Sequence, residues 1–392
     1  MRAGFWALCC ASLLSAACSG DDDDAAAAGA GASSGAGAGN AGRNAGSGGN
    51  AGAGADGGKS GSGGSAGASG ATANGGRGGS GGARAGSGAA GGGTGGTGAP
   101  SGDLPQIGGC AIFTAADAWN QDISAAAVDD AWTARLQALV GDVDLHPDYG
   151  NSGDEHYGIP INVVPESQPK VDVEIDQYPE ESDQGPYPFP GPDQVKIEGG
   201  TAEDCDGDCH VLVVQQGACM LYEGYACSYD AGWRCGGEAT WDLSKDSYGQ
   251  REEGFTSADA AGLSITAGLV RFDEVQAGEL RHAIRFTVEC TRDSHIRPAS
   301  HHAVPGGCDA EDPNAPPMGL RVRLRADYDV SRLSAPAQVV ARAMQTYGMI
   351  LADNGSNFYF QGDDNPGWTE EQVEPLKTIP ASAFEVVRTP GL

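Results

Sequence analysis

Three of the four carboxylates in the stretch LVRFDEVQAGELRHAIRFTVEC, which spans residues 269–290, lie close together. Asp273 and Glu274 precede a Gly-containing turn and Glu279 follows it, and the flanking residues predict a β-hairpin. Glycoside hydrolysis needs two carboxyl groups a few ångströms apart, one as the acid and the other as nucleophile or base. We therefore take Asp273 and Glu274 as candidate catalytic residues. The alternative is that adjacent acids arise by chance in so acidic a chain.

A histidine follows on the second half of the same predicted hairpin. The two-residue period of a strand places His282 on one face with the apolar Leu280 and Ile284. Two interpretations are open. The ring is either a core histidine with satisfied hydrogen bonds, or a general acid or base whose pKa is tuned by a desolvated pocket. On the second interpretation His282 is a candidate catalytic residue.

Arginines form another group of candidates. Arg281 and Arg285 share the face opposite the apolar one, and Arg321, Arg323 and Arg325 share one face of GLRVRLRADY. One interpretation is a ladder of cross-strand ion pairs. The other is a cationic floor that binds carboxylates or sulfates of an acidic polymer, since arginine binds them in bidentate fashion. Arg281 and Arg323 are the candidate substrate-binding residues of that floor.

A polar turn lies between two apolar strands in YGMILADNGSNFYF. Asp353, Asn354 and Asn357 either stabilise the turn itself or hold polar groups over a sheet face, an arrangement suited to sugar hydroxyls. On the second interpretation, Asp353 is a candidate catalytic residue, and Asn354 and Asn357 are candidate substrate-binding residues.

Metal sites are weakly indicated. Asp204, Asp206 and Asp208 alternate in EDCDGDCH as in a calcium loop, but the glycine register and the later acidic ligand do not match. An acidic loop closed by Cys205 and Cys209 is the alternative that we favour. The histidines of HIRPASHH include an adjacent pair, which rarely supplies two ligands to one metal, so we predict no metal cofactor. The HExxH, GxSxG and Walker motifs are absent from residues 103–392.

Short strands are the elements that must position these groups. Alternation predicts strands in VDVEID, HVLVVQQGACMLYEGY, EATWDL, RHAIRFTVEC, GLRVRLRADY, MILAD, NFYFQG and AFEVV. Helices are predicted after three capping residues, Asp129, Ser334 and Thr369. Many strands with few helices predict a mainly β fold, a β-sandwich or jelly roll with attached helices.

The N-terminal third is predicted to be a leader and a tether. Residues 1–17 read as a secretion signal, too short to span a membrane. Small residues before Cys18 resemble a lipobox, so we expect Cys18 to be lipidated; the alternative is cleavage that releases a free protein. Residues 18–102 are rich in Gly, Ala and Ser, and such a composition cannot bury enough apolar surface to fold. Residues 103–392 are predicted to form one domain.

Charge and cysteines limit the class of protein. The first 102 residues have five basic and five acidic side chains, so the domain carries the whole net charge of −30. Such a surface argues against nucleic acid as a partner, and against anionic membrane except through a lipid anchor. Residues 103–392 contain eight cysteines, an even number that predicts up to four disulfides in an exported chain. We predict one bond between Cys290 and Cys308.

Several long stretches resemble a family of secreted bacterial proteins of uncharacterised function. They are AWNQDIS, YGIPINVVP, ESDQGPYP, TSADAAGL, LVRFDEV, RHAIRFT, PPMGLRVRL and YGMILADNGSN, and they cover about residues 110 to 388. The resemblance implies export, in agreement with the signal and the cysteines. It implies no activity, cofactor or catalytic residue.

Two functions are open at this point. The first is a surface-anchored lipoprotein, at the outer membrane or cell surface, that hydrolyses an extracellular polysaccharide by Asp/Glu acid–base chemistry. The second is a non-catalytic carbohydrate-binding or adhesion protein displayed on a stalk. In the second case Tyr149, Tyr157, Trp233 and Trp241 are candidate stacking platforms. We expect a monomer in either case.

Overall fold

The computed structural model describes residues 104–152, 155–303 and 312–392. Its first half contains β1 (Gln106–Ile107), β2 (Cys110–Ala111), α1 (Asp130–Val140), β3 (His146–Asp148), β4 (Gly150–Ser152), β5 (Glu155–Tyr157), β6 (Ile161–Val164), β7 (Val173–Ile175), β8 (Val211–Gln215), β9 (Met220–Tyr225), β10 (Ser228–Tyr229), β11 (Trp233–Cys235) and β12 (Gly237–Asp242). The second half contains α2 (Ile265–Gly268), α3 (Phe272–Ala277), β13 (Ile284–Val288), β14 (Arg321–Leu324), α4 (Ala335–Thr346), β15 (Met349–Asn354), β16 (Tyr359–Gln361), α5 (Glu370–Val373) and β17 (Phe384–Val386).

Two larger sheets organise these strands, and the prediction of a mainly β fold with a few helices is confirmed. A six-stranded sheet has the order β17-β14-β15-β13-β16-β3, and a four-stranded sheet has the order β12-β9-β8-β6. Both are mixed, because β13 runs parallel to β15, β16 to β3, and β6 to β8. Parallel neighbours need crossover connections, and β14 and α4 lie between β13 and β15 in the chain.

Apolar side chains of both larger sheets and of α4 belong to one core cluster. Phe286 of β13 and Leu351 of β15 represent the six-stranded sheet, Leu221 and Trp241 represent the four-stranded sheet, and Met344 comes from α4. A second core cluster is formed by buried side chains between residues 164 and 235, among them Phe189 and Trp233. Burial of such side chains is the main stabilising contribution to folding.

The helix caps follow the local sequence as predicted. The Asp129 carboxylate accepts a hydrogen bond from the Trp132 backbone N–H at 3.0 Å, and Ser334 caps α4 with a proline in the first turn. Thr369 and Gln372 form the capping box of α5. These side chains satisfy backbone N–H groups that have no partner within the helix.

The prediction of a hairpin at residues 269–290 is wrong. Phe272–Ala277 form the helix α3, and only the second half of the stretch is a strand. Two local signals favour the helix. Asp273 and Glu274 lie in its first turn, where carboxylates interact favourably with the helix dipole. Gly278 ends it in the left-handed conformation with φ 85°, as glycine commonly does at helix C-termini.

The arginine-bearing face of β13 and β14 is buried, contrary to the alternation pattern, which predicted a polar face. Every residue of both strands is buried, including Arg285, Arg321 and Arg323. Chain from the N-terminal part of the domain covers the β14 side of this face, where Gln121, Ile123 and Ser124 meet Arg321 and Arg323. Arg321 donates hydrogen bonds to the carbonyl oxygens of Tyr347 and Gln121, so its charge is satisfied without reaching water.

Three disulfides join described residues. Two are local, Cys205–Cys209 and Cys227–Cys235, and one joins β2 to the turn before β9, Cys110–Cys219. Disulfides persist in oxidising compartments, so these bonds agree with an exported chain. The predicted bond between Cys290 and Cys308 stays a prediction, because Cys308 lies outside the described residues, as do the signal and Cys18. Within the described part of the chain, no helix is long and apolar enough to cross a bilayer.

Candidate functional site

A cleft of about 270 Å³ lies beside the six-stranded sheet and gathers charged side chains from distant parts of the chain. Strands β13, β15, β16 and β3 contribute Arg285, Asp353, Gln361 and Asp148. The loop from 198 to 210 contributes the others, Glu198, Asp208 and His210. Six acidic or basic side chains therefore meet at one concavity, and such a place is the default candidate site.

Arg285 is the centre of the cleft and is itself held rigidly. Its Nε and Nη2 atoms donate to the two carboxylate oxygens of the fully buried Asp259 at 3.1 and 2.8 Å. Its Nη1 atom donates to Gln361 Oε1 at 2.7 Å. A bidentate pair of this kind fixes the plane of the guanidinium. Arg285 therefore acts as a fixed positive charge beneath the cleft, with most of its donors already used.

Asp353 reaches the cleft because of an irregularity in the sheet. Phe286 pairs with Leu351, but the next residue, Thr287, pairs with Asp353, so that Ala352 is an extra residue on β15. A bulge re-aims the side chains that follow it. Asp353 Oδ2 comes to 3.8 Å from Arg285 Nη2. Burial, and then the charge of Asp259, raise the pKa of Asp353 to about 7, although Arg285 opposes the shift.

A histidine–carboxylate pair forms another wall of the cleft. His210 Nδ1 donates to Glu198 Oε2 at 2.5 Å, and its Nε2 atom donates to the Ala258 carbonyl oxygen at 3.1 Å. Burial lowers the pKa of His210, but the charge of Glu198 outweighs it and raises that pKa to about 9. Burial raises the pKa of Glu198, but the charge and the hydrogen bond of His210 bring that pKa below its ordinary value. The pair is thus an imidazolium and a carboxylate at neutral pH.

The cleft therefore holds carboxyl groups in opposite protonation states. Asp353 keeps its proton up to about neutral pH, whereas Glu198 is ionised. Carboxyls whose pKa values are pushed apart are the usual means by which one site supplies both an acid and an anion at neutral pH. The chemistry available here is proton donation by Asp353 next to the ionised Glu198.

The candidates from the 269–290 stretch do not line this cleft. Glu274 forms an ion pair with Arg271 at 2.6 Å and a hydrogen bond with His282 Nε2 at 3.0 Å, and the other His282 nitrogen bonds to the Ala283 carbonyl oxygen. The His282 side chain has no exposed surface. Burial raises the Glu274 pKa, but Arg271 and His282 bring it below its ordinary value. Asp273, at the start of α3, remains exposed to solvent.

Of the candidate binding residues, Asn354 lines the cleft and the others lie elsewhere. Asn357 accepts from the Glu289 backbone N–H at 3.0 Å and so stabilises its turn. Arg281 pairs with Glu279. Arg323 pairs with Glu385, its cross-strand partner on β17, as the ion-pair interpretation predicted.

The acidic loop is closed by the Cys205–Cys209 bond, as favoured on the sequence. Asp208 lines the cleft, whereas the backbones of Asp204 and Asp206 hydrogen-bond within the turn from 199 to 206. Among the described residues, the one group of three or more ligand atoms that converges is Cys227, Cys235 and Glu238. Its two sulfurs form a disulfide, so the group does not bind metal, and the calcium interpretation of Asp204, Asp206 and Asp208 gains no support.

Three of the four aromatic residues suggested for sugar stacking are buried. Tyr149, Trp233 and Trp241 are buried in the core, and Tyr157 is exposed. At the cleft itself the aromatic residue is Tyr359, whose ring stacks on His146 with a centroid distance of 4.0 Å. The four residues proposed as stacking platforms therefore do not form an open face of coplanar aromatic rings.

Sequence reasoning missed Glu198, His210, Asp148 and Asp259 as members of one site. His210 directly precedes the apolar run VLVV, and a polar residue at the start of a buried strand is a usable signal. The other three lie in loops or at a strand end, where no period of two or 3.6 residues marks them.

Comparisons with known proteins add no name to this site. No protein-family model, no curated protein and no solved structure matches the chain. The resemblance to uncharacterised secreted bacterial proteins stays a prediction, and the function has to be argued from the cleft.

Proposed function

We propose that the protein is an exported hydrolase that cleaves a polysaccharide in the cleft around Arg285 by general acid–base chemistry. The observation that carries this proposal is Asp353, a carboxyl with a pKa of about 7 in a cleft whose rim also holds the carboxyl groups of Asp148 and Asp208. Glycoside hydrolysis uses such a pair, because the leaving oxygen needs a proton donor while an anion assists the attack on the sugar.

The roles follow from the positions of the side chains. Asp353 is the proton donor at the end of β15, and its remaining exposed surface faces the cleft. Asp148 and Asp208 are exposed on the rim and are the candidates for the nucleophile or base. Glu198 is occupied by His210 and is a positioning residue. Asn354 and Tyr359 offer polar contacts to sugar hydroxyls.

Cell-envelope attachment completes the proposal. The three disulfides support an oxidising compartment. A lipidated Cys18 with the Gly/Ala/Ser-rich segment to residue 102 would hold the domain away from the membrane. A substrate that is a polymer outside the cell suits such a tether.

The test is product release from a panel of polysaccharides and peptidoglycan, with Asp353→Asn as the decisive variant. We expect the wild-type protein to release reducing ends and the variant to lose about 100-fold or more of that rate, since a general acid contributes about that factor. Activity of the wild type should decline as the pH rises through about 7, because Asp353 then loses its proton.

Asp193→Asn is the matched control, since this exposed aspartate lies outside the cleft lining. Both variants should keep the melting temperature of the wild type within a few degrees. Full activity of Asp353→Asn would remove Asp353 from the mechanism. Binding to a polysaccharide without any release of product would instead support the non-catalytic carbohydrate-binding function.

A further inference from the structure

A second concavity, of about 130 Å³, lies beside the ribbon of β4 and β5. Gly150 and Tyr157 line it from the ribbon, and Thr369, Glu370 and Lys377 line it from the segment around α5. We call it the α5 cavity. Its lining combines one aromatic ring with a few polar groups, which is the usual composition of a small-ligand site. Tyr157 is also the exposed member of the four stacking candidates.

The ring of Tyr157 is supported by the neighbouring strand and is still open to solvent. Its cross-strand partner is Gly150, which has no side chain, so the ring lies over the backbone there. A Cβ atom at position 150 would be 3.3 Å from the Tyr157 hydroxyl oxygen. Tyr157 nevertheless keeps 40% of its surface exposed. Tyrosine loses little conformational entropy on binding because it has two χ angles, so the ring is a preformed platform at the edge of the α5 cavity.

The α5 cavity adjoins the cleft around Arg285. Asp148 lines the cleft, and two residues further on Gly150 lines the α5 cavity. In the same way, Ile159 lines the cleft and Tyr157 lines the α5 cavity. Two residues of extended chain span about 7 Å, so the lining positions of the two concavities are offset by about that distance on both segments. A single sugar ring cannot fill both concavities, whereas a chain of sugars can.

Lys377 lies between aromatic residues of the two concavities. Its pKa is raised, first by the hydrogen bond to Glu374 and also by the phenol groups of Tyr157 and Tyr359. Tyr359 belongs to the lining of the cleft. One ammonium group is thus close to the aromatic ring of each concavity, which agrees with a continuous binding surface.

Charge limits the class of sugar that this surface can bind. The cationic side chains that line the two concavities, Arg285, His210 and Lys377, all pair with carboxylates. Asp148 and Asp208 are exposed on the rim of the cleft, where their charges would repel the carboxylates or sulfates of an acidic polymer. The surface therefore favours a neutral chain over an acidic one.

We propose that the α5 cavity is a second sugar-binding subsite, in which Tyr157 stacks on one sugar of a neutral polysaccharide whose chain continues into the cleft. This role rests on the hydrolase function proposed above and specifies its substrate. Chains long enough to contact both concavities bind more tightly than short ones, because only they gain the contact with Tyr157.

The test is calorimetric binding of neutral oligosaccharides to the full chain carrying Asp353→Asn, so that no probe is cleaved during the measurement. The probes are β-1,4-linked oligosaccharides of glucose and of N-acetylglucosamine, from the dimer to the hexamer. We expect a hexamer to bind more tightly than its dimer. Adding Tyr157→Ala should weaken hexamer binding about 10-fold, a loss typical of truncating an aromatic anchor. Dimer binding should stay nearly unchanged, since the larger cleft can hold a dimer alone.

Two further variants separate stacking from other effects. Tyr157→Phe retains the ring and should keep hexamer binding close to that of the parent. Tyr248→Ala is the matched control, because Tyr248 is also an exposed tyrosine but lines a different cavity with Arg297, and it should leave every affinity unchanged. The melting temperatures of all variants should agree within a few degrees, since both tyrosines are exposed.

The subsite is overturned if no hexamer binds, or if Tyr157→Ala weakens hexamer and dimer equally or weakens neither. The hydrolase function is judged separately, by product release from the wild-type protein. A hexamer that binds through Tyr157 and is never cleaved would support the subsite and refute the reaction at Asp353. Cleavage of polysaccharide together with unchanged hexamer binding in Tyr157→Ala would refute the subsite alone.

Discussion

Glu238 on β12 is a buried carboxyl of a different kind from Asp353. Neither of its carboxyl oxygens has a hydrogen-bond partner among the described residues. Burial, and then the charges of Glu223 and Asp183, raise its pKa well above the ordinary value. A lone buried carboxylate would be very costly, so Glu238 takes up a proton when the chain folds. Glu223, by contrast, accepts hydrogen bonds from Trp241, Ser264 and Thr266.

This proton makes stability depend on pH with a definite sign. Because the folded pKa of Glu238 lies above the unfolded value of about 4.5, its contribution is complete below that pH and is lost as the pH rises through the folded pKa. Glu238→Gln has no proton to lose. We expect the free energy of unfolding of the wild type to fall relative to the variant by up to about 1.4 kcal/mol per pH unit between pH 5 and 8.

Urea unfolding of both proteins at several pH values measures this difference. Glu279→Gln serves as the control, because Glu279 is largely exposed and paired with Arg281, and its effect should not change over the same pH range. Parallel pH profiles for the wild type and Glu238→Gln would contradict a protonated Glu238.

At the scale of elements, β14 and β17 are joined by the buried pair of Arg323 and Glu385. Arg323 also donates to the carbonyl oxygens of Ile123 and Ser124, at 2.6 and 2.7 Å. It thereby attaches the segment before α1 to the edge of the six-stranded sheet. These partners use most of the donors of the buried guanidinium, so Arg323 stabilises the sheet edge rather than binding a polymer.

Arg323→Met should therefore destabilise the fold and leave polysaccharide binding unchanged. Removing one member of a buried ion pair typically costs about 3–5 kcal/mol, because the other charge stays buried and unpaired. Arg325→Met is the matched control on the same stretch: Arg325 is 45% exposed and pairs with Asp327, so its loss should cost about 1 kcal/mol or less. Denaturant unfolding compares the two. If both variants lost equally little unfolding free energy, packing of the methionine side chain would compensate for the lost ion pair of Arg323.

At the scale of the whole molecule, the Cys110–Cys219 bond connects the beginning of the domain to the four-stranded sheet. The two cysteines are 109 residues apart, whereas Cys205 and Cys209 are 4 apart. In the chain-entropy description, a cross-link stabilises the fold more when it closes a longer loop. The long bond should consequently contribute more to stability than the short one.

We expect the double variant Cys110→Ser/Cys219→Ser to lose about 4–5 kcal/mol of unfolding free energy, and Cys205→Ser/Cys209→Ser to lose about 2 kcal/mol. Thermal and denaturant unfolding of the two double variants gives the comparison, and each serves as the control for the other. An equal loss in both would show that loop length does not determine the contribution of these bonds.

The elements were predictable where a local pattern determines them. The strands β8 and β9, the cap of α4 and the capping box of α5 depend on residues close together in the chain, and all are present. The stretch that became α3 was misread as part of a hairpin. Over so short a length, its apolar residues fit both the two-residue period of a strand and the 3.6-residue period of a helix. The acidic first turn and Gly278 favour the helix.

The sequence by itself determined the mainly β character, an even set of cysteines suited to oxidation, and the acidic surface, because composition and short-range periodicity are enough for these. Only the tertiary structure decided which charged residues meet. Asp353 faces the cleft through an extra residue in one strand, Arg285 is held by a partner from another loop, and His295 finds His302 rather than its other histidine neighbours. Such encounters depend on long-range packing and register, which leave no periodic trace along the chain.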